Sequence, residues 1–123
     1  MTTDFLETEQ VDGVWVIRLC SRPFDLINHD QDPKLETALI QDFRSRLEDV
    51  SGSLVIDLKE VGFISSHTLN VLVRMFRDPP EQVAGISVCG LGYASEIWDL
   101  MKFSEFIGPC FETQEDAIDS AKR

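Results

Sequence analysis

The sequence predicts a single α/β domain with a mixed, mainly parallel sheet of about five strands and four helices. Two observations lead to this fold class. Short apolar runs alternate along the chain with longer stretches whose apolar residues recur every three or four positions. The resulting order, β-β-α-β-α-β-α-β-α, is typical of parallel strands joined by crossover helices. With 123 residues, 43% of them hydrophobic, the chain is long enough for one core, and the domain is expected to span residues 1–123.

The first two strands are predicted to form a hairpin within FLETEQVDGVWVIRL. Asp12-Gly13 is a two-residue turn signal between them. Residues 20–34, CSRPFDLINHDQDPK, are rich in Pro, Asp and Asn and are interpreted as a loop. An amphipathic helix is predicted next, with Pro33 near its first turn and with apolar residues spaced by four: Leu35, Leu39, Phe43 and Leu47.

The middle of the chain continues with a strand and a helix. LVIDL, residues 54–58, is short, apolar and rich in branched residues, which predicts a buried strand with Ile56 nearly inaccessible to solvent. The helix after it follows the i, i+3, i+4, i+7 rule at Leu69, Leu72, Val73 and Phe76. Asp78-Pro79-Pro80 is expected to end that helix.

The last third of the chain predicts two more strands and two more helices. GISVCG, residues 85–90, and residues 109–111 are the strand candidates. Thr113–Asp116 resembles a capping box before a final helix. The helix between the strands is indicated by Ala94, Ile97, Trp98 and Met101.

The helix that carries Trp98 and Met101 has an apolar face wider than one core contact requires. Core packing is the default for such a face. A partly exposed Trp98 would instead indicate contact with a partner or a second subunit, so a homodimer is left open.

Charge and composition exclude several functional classes. The formal net charge is −11, with 22 acidic and 11 basic residues. Such a chain repels phosphate backbones and anionic membranes, so binding to nucleic acid or directly to a membrane is not expected. Three widely spaced cysteines match neither a metal motif nor a disulfide framework, and they favour a reducing cytoplasm. The first ten residues, MTTDFLETEQ, lack the apolar core of a signal peptide.

The junction GFISSHTLNVL, residues 62–72, places four polar residues where the strand and turn meet the helix: Ser65, Ser66, His67 and Thr68. A serine here can cap the helix. The free N–H groups and the positive dipole end of the helix also favour a phosphate. A catalytic serine is disfavoured because the chain has no G-x-S-x-G elbow, and His67 is expected to face solvent. A small ligand or nucleotide at the helix start remains an alternative.

Residues 54–76, LVIDLKEVGFISSHTLNVLVRMF, resemble the signature region of STAS domains, the family of bacterial anti-sigma factor antagonists. Asp57 stands at the end of the strand, and Phe63-Ile64 resembles the apolar pair of the family. Ser66 stands where the family has its phosphorylatable serine. Ser65 replaces the usual Asp before it, and His67 and Thr68 replace the Ser-Gly after it.

The resemblance implies a non-enzymatic signalling module. The unphosphorylated chain would bind an anti-sigma factor that is also a serine kinase, and phosphorylation of Ser66 would break the complex. The partner would supply ATP, so no cofactor is expected. Ser65 is expected to be the helix cap, and Asp57 to lie near Ser66 and either shape the site or bind loop backbone. The alternative is a STAS interaction module of a stress-signalling complex or a transporter.

Overall fold

The computed structural model describes residues 6–20, 33–61 and 64–122. Strands β1 (Leu6–Val11) and β2 (Val14–Leu19) form the predicted antiparallel hairpin. Its turn has positive φ at both central residues, 52° at Asp12 and 83° at Gly13, as a type I′ hairpin turn requires. Most of the predicted loop at residues 20–34 lies outside the described residues, and the description resumes at Pro33, the first residue of a helix.

Three more strands complete a five-stranded sheet in the order β1-β2-β3-β4-β5. They are β3 (Gly52–Asp57), β4 (Val83–Cys89) and β5 (Cys110–Phe111), each parallel to the strand before it. The fold class is confirmed, since the mixed sheet carries four helices of at least seven residues. These are α1 (Pro33–Leu47), α2 (Ser66–Phe76), α3 (Ala94–Leu100) and α5 (Gln114–Ala121), together with the short α4 (Phe103–Phe106) and a 3-10 turn (Lys59–Val61).

Helices α1, α2 and α3 cover one face of the sheet and form the main core. Successive crossovers between strands in sequence order have the same hand, so they put their helices on the same face. Leu39, Phe43 and Leu47 of α1 are fully buried there, as predicted. Ile56 of β3 is fully buried in the same core, which confirms the prediction for the inner strand.

Helix α5 covers the opposite face of the sheet. Ala117 and Ile118 pack there against a second, smaller cluster that includes Val16, Val55 and Cys89. Because side chains alternate along a strand, Val55 belongs to this cluster while its neighbours Leu54 and Ile56 belong to the main core. Strand β3 is therefore buried on both faces, which explains its unbroken apolar sequence.

An aromatic row runs through the main core. The ring centroids of Phe43 and Phe76 are 5.3 Å apart, those of Phe76 and Trp98 are 6.5 Å apart, and Phe103 meets Trp98 edge-on at 5.3 Å. Trp98 is fully buried, and its indole N–H donates to the carbonyl oxygen of Gly108 over 3.0 Å. The hypothesis that Trp98 forms an intermolecular contact is therefore wrong, because its ring and its N–H are both used inside the chain.

The aromatic row predicts a large difference between two aromatic truncations. Phe76→Ala removes a ring packed between two others and should lower the free energy of unfolding by about 3–5 kcal/mol. Tyr93→Ala truncates a side chain that is 99% exposed and should change it by less than about 0.5 kcal/mol. Urea denaturation followed by circular dichroism measures both. Equal losses in the two variants would contradict the described core.

Candidate functional site

The candidate site lies at the carboxyl edge of the parallel strands, where the loops after β3 and β4 meet. The N–H of Leu58 donates to the carbonyl oxygen of Cys89 over 2.9 Å, and Gly90 follows with φ +78°. A Cβ atom at Gly90 would lie 2.5 Å from the backbone nitrogen of Lys59, so only glycine allows this approach. Open α/β sheets bind their ligands at this edge.

Ser65 is the N-cap of α2, as predicted. Its backbone is extended, and its Oγ accepts the backbone N–H of Thr68 over 3.1 Å. The same hydroxyl donates to Oγ1 of Thr68 over 3.1 Å. The Ser65 hydroxyl is therefore used to close the first turn of the helix.

Ser66 is the first residue of α2, and it is exposed. The free N–H groups and the positive end of the helix dipole lie at this position, and both stabilise a phosphate. The first turn of α2 contains no acidic residue, so no carboxylate of that turn would oppose an added negative charge. Ser66 is thus accessible, and a phosphate on it would meet little electrostatic repulsion from the first turn of α2.

A surface hollow of about 620 Å³ opens beside Ser66, between the starts of α2 and α3. Tyr93 and Ile97, which line it, are 99% and 42% exposed. An exposed aromatic side chain beside other apolar groups is typical of a protein–protein contact. The remaining lining residues are Ile64, Ser65, Leu91, Gly92 and Ala94.

The His67 side chain is 33% exposed, so it faces solvent in part and α1 in part. Its Nε2 atom lies 2.9 Å from Oε1 of Glu36 in the first turn of α1, where the Glu36 side chain is only 8% exposed. Nε2 is shielded from solvent and lies outside hydrogen-bond geometry, so the two side chains form an ion pair only in the protonated state of the imidazole. His67 thus lies between the starts of α2 and α1.

Thr68 is fully buried. Its backbone N–H and its Oγ1 both contact the Ser65 hydroxyl. A buried side chain cannot touch a partner, so Thr68 adds no bulk to a partner-facing surface. Thr68 instead fixes the cap that precedes Ser66.

The Asp57 carboxylate binds the backbone of the following loop, and it does not line the hollow beside Ser66. Its Oδ1 accepts the backbone N–H of Lys59 over 2.9 Å, and its Oδ2 lies 3.8 Å from Nε of Arg18. Strand alternation turns Asp57 toward the α5 face, where it lines a hollow of about 490 Å³ with Cys89 and the start of α5. The hollows that contain Asp57 and Ser66 have only Gly92 in common.

The thiols of Cys89 and Cys110, at this edge of the sheet, are not activated as nucleophiles. Burial, followed by the nearby Asp57 carboxylate, raises the pKa of Cys89 to about 12. Burial likewise raises the pKa of Cys110 to about 11. Both thiols are therefore neutral near pH 7, whereas the thiolate is the reactive form.

Among residues 6–20, 33–61 and 64–122, no group of three or more His, Cys, Asp or Glu side chains could hold a metal ion. None of the helices in these segments has the length and apolar character needed to cross a bilayer.

Two solved structures are similar to the chain over most of its length. One is an anti-sigma factor antagonist from Mycobacterium paratuberculosis, with a TM-score of 0.66, 23% identity and coverage of 96% of this chain and 93% of that one. The other is an anti-sigma-factor antagonist (STAS) domain protein from Planctomyces limnophilus, with a TM-score of 0.65, 16% identity and coverage of 96% and 98%. The chain has the STAS fold. No family model matches its sequence, and no curated protein does either.

Within the STAS fold, the departures at Ser65 and Thr68 compensate for one another. Serine caps a helix about as well as the Asp expected there, and Thr68 supplies a second contact to the cap. Phe63, the first member of the apolar pair, lies outside the described residues, and Ile64 lines the hollow beside Ser66.

Tyr93 is the site residue that sequence reasoning missed. The sequence pattern indicates a helix from Ala94 onward, with Trp98 and Met101 on its apolar face. Extending the same spacing back by one turn from Ile97 reaches Tyr93, which precedes α3 with helical φ and ψ. This spacing was the signal that could have revealed Tyr93.

The cap geometry predicts a specific order of stabilities. Ser65→Ala leaves the Thr68 N–H without its acceptor and should lower the free energy of unfolding by about 1 kcal/mol. Ser65→Asp restores an acceptor and should remain within about 0.5 kcal/mol of the parent chain. Ser66→Ala is the matched control at the adjacent exposed serine and should change little. Urea titration ranks the three, and a larger loss in Ser66→Ala than in Ser65→Ala would contradict the cap assignment.

Proposed function

We propose that the chain is a non-enzymatic signalling module, an anti-sigma factor antagonist that binds an anti-sigma factor with serine kinase activity. The observation that carries the proposal is the exposed Ser66 at the start of α2, beside a hollow lined by Tyr93 and Ile97. The similar STAS-fold structures are described as anti-sigma factor antagonists, which supports this role.

The unphosphorylated chain binds its partner across the hollow beside Ser66. Tyr93 is almost entirely exposed in the free chain and offers a large apolar ring with a polar hydroxyl. Such side chains often supply most of the energy of an interface when a partner covers them. Ser66 is small and neutral, so it can be buried beside Tyr93 at low cost. Binding occupies the anti-sigma factor and releases its sigma factor.

Phosphorylation of Ser66 reverses this state. The kinase transfers the γ-phosphoryl group of its own ATP to Oγ of Ser66, ADP leaves, and the hydroxyl proton goes to a base of the kinase. The phosphoserine carries a charge of about −1.5 to −2. In the free chain this charge is stabilised by water and by the start of α2, whereas the complex would desolvate it against Tyr93 and Ile97. The complex therefore dissociates.

The chain acts in the cytoplasm and needs no cofactor of its own. ATP is bound by the partner. Cys89 and Cys110 carry free thiols. Free thiols fit a reducing compartment, in which a protein kinase also has access to ATP.

The phosphorylation switch predicts that an added negative charge weakens kinase binding at Ser66 but not at Ser120. Immobilised parent chain and Ser66→Ala should capture the kinase from a lysate of the source cells, and Ser66→Asp should bind it about tenfold more weakly, a loss of about 1.4 kcal/mol. Ser120→Asp adds the same charge at an exposed position of α5, on the other face of the sheet, and should bind like the parent. Titration calorimetry with the purified kinase measures the four affinities.

Incubation with that kinase and ATP, followed by peptide mapping, tests the modified residue. Phosphate is expected on Ser66 and should be absent from Ser66→Ala. Phosphate on Ser65 or Thr68 alone would refute the residue assignment. No phosphate, together with undiminished binding by Ser66→Asp, would leave a constitutive interaction module of another assembly, such as a stress-signalling complex or a transporter.

Tyr93 should affect binding without affecting folding. Tyr93→Ala is expected to weaken kinase binding by at least about 1 kcal/mol, because it removes the largest exposed ring beside Ser66. Tyr93→Phe keeps the ring and should retain most of the affinity. The same calorimetric titration measures both variants, and parent-like binding by Tyr93→Ala would place the contact elsewhere.

A further inference from the structure

The position of the Tyr93 ring depends on the backbone that carries it. The Tyr93 side chain is 99% exposed, so packing contributes little to where the ring lies. The residues on either side of the link Gly92-Tyr93 behave differently, because Leu91 and Ala94 are both buried in the main core. Gly92 and Tyr93 thus form an exposed link between two anchored residues. The backbone of this link determines the direction in which the ring leaves the chain.

A hydrogen-bonded turn forms this link between β4 and α3. The N–H of Ala94 donates to the carbonyl oxygen of Leu91 over 3.2 Å, which closes a four-residue turn with Gly92 and Tyr93 at its centre. The φ angle is +60° at Gly92 and −63° at Tyr93. Positive φ at the first central residue alone is the pattern of a type II′ turn, and glycine adopts it without strain.

The turn requires a particular backbone handedness at Gly92, whereas space is not limiting there. A Cβ atom added to Gly92 would have no heavy atom within 4 Å apart from its chain neighbours. An L-alanine at this position therefore fits, but it must either keep a strained positive φ or change the shape of the link. The change of shape meets little resistance from packing, because Gly92 and Tyr93 are both exposed.

We propose that Gly92 is a positioning residue that acts through Tyr93. Its positive φ sets the turn that directs the Tyr93 ring outward at the hollow beside Ser66, which both residues line. With another residue at position 92, Leu91 and Ala94 stay buried, but the ring leaves the surface in a different direction. The inference rests on the proposed function for the partner that contacts Tyr93, and the dependence of the turn on Gly92 can be measured without that partner.

Hydrogen exchange of the Ala94 amide, followed by NMR on the free chain, tests the turn. Gly92→Ala should accelerate this exchange at least about fivefold, because the turn that protects the amide opens. A chain with D-alanine at position 92, assembled by ligating a synthetic peptide that begins at Cys89, has the same atoms with the opposite handedness. D-alanine accepts positive φ, so exchange should stay at the level of the parent.

Gly13→Ala is the matched control for strain at a glycine. Gly13 has φ +83° in the hairpin turn, and a Cβ atom there also has nothing within 4 Å. This substitution should lower the stability of the chain as Gly92→Ala does, since both place an L-residue at positive φ. The exchange of the Ala94 amide should nevertheless remain as in the parent.

Titration calorimetry with the purified kinase tests the effect on the partner. Gly92→Ala should bind about tenfold more weakly than the parent, because the Tyr93 ring is misdirected. The D-alanine chain and Gly13→Ala should bind within about twofold of the parent, since both leave Tyr93 in place. In a Tyr93→Ala background, Gly92→Ala should cause no further loss, whereas a residue that only supports the fold would weaken binding equally in both backgrounds.

Three results would overturn the proposal. Unchanged exchange of the Ala94 amide in Gly92→Ala would show that the turn does not depend on Gly92. Equal loss of kinase binding with L- and D-alanine would assign the effect to the added methyl group. A loss that adds to that of Tyr93→Ala would show that Gly92 does not act through Tyr93. Failure of the parent chain to bind the kinase would instead refute the proposed function, and the exchange measurement would still decide the role of Gly92 in the turn.

Discussion

Burial of β3 on both faces is the constraint on which the rest of this structure depends. Ile56 lies in the core beneath α1–α3, and Val55 lies in the cluster beneath α5. A shift of pairing by one residue would exchange the two sets of side chains, so the register of β3 with its neighbours is strongly fixed. The direction and end of this strand then determine where α2 begins, and with it the position of Ser66.

The same alternation separates two polar groups that are close in sequence. Asp57 ends β3 on the α5 face, where Lys59 and Arg18 hold its carboxylate. Ser66 follows on the other face, beside Tyr93. The edge of the sheet therefore carries an ionic cluster on one side and an apolar hollow on the other. A phosphate on Ser66 would meet a helix start that carries no acidic residue in its first turn, rather than the Asp57 carboxylate.

Charge is distributed unevenly on this acidic chain. Most cations of the described residues are engaged: Arg18 contacts three carboxylates, and Arg44 donates to the carbonyl oxygens of Arg77 and Asp78 at the end of α2. The contacts of Arg44 hold the end of α2 against α1, and the buried side chains of Leu69 and Leu72 anchor its first half in the core. Helix α2 is thus anchored along its inner side, while Ser66 at its start stays exposed. A helix held in this way can present Ser66 without moving when a partner binds.

The sequence by itself determined the fold class, the order of the elements, the hairpin turn at Asp12-Gly13 and the cap at Ser65. These features depend on local pattern and backbone chemistry, which a single sequence records directly. Only the tertiary structure decided which side of each element is covered. In the folded chain Trp98 and Thr68 are buried, whereas Tyr93 is exposed. His67 lies against Glu36, and Asp57 lies on the face of the sheet that α5 covers. The physical reason is that periodicity shows which residues share a face, whereas burial depends on the neighbouring elements, which lie far away in the sequence.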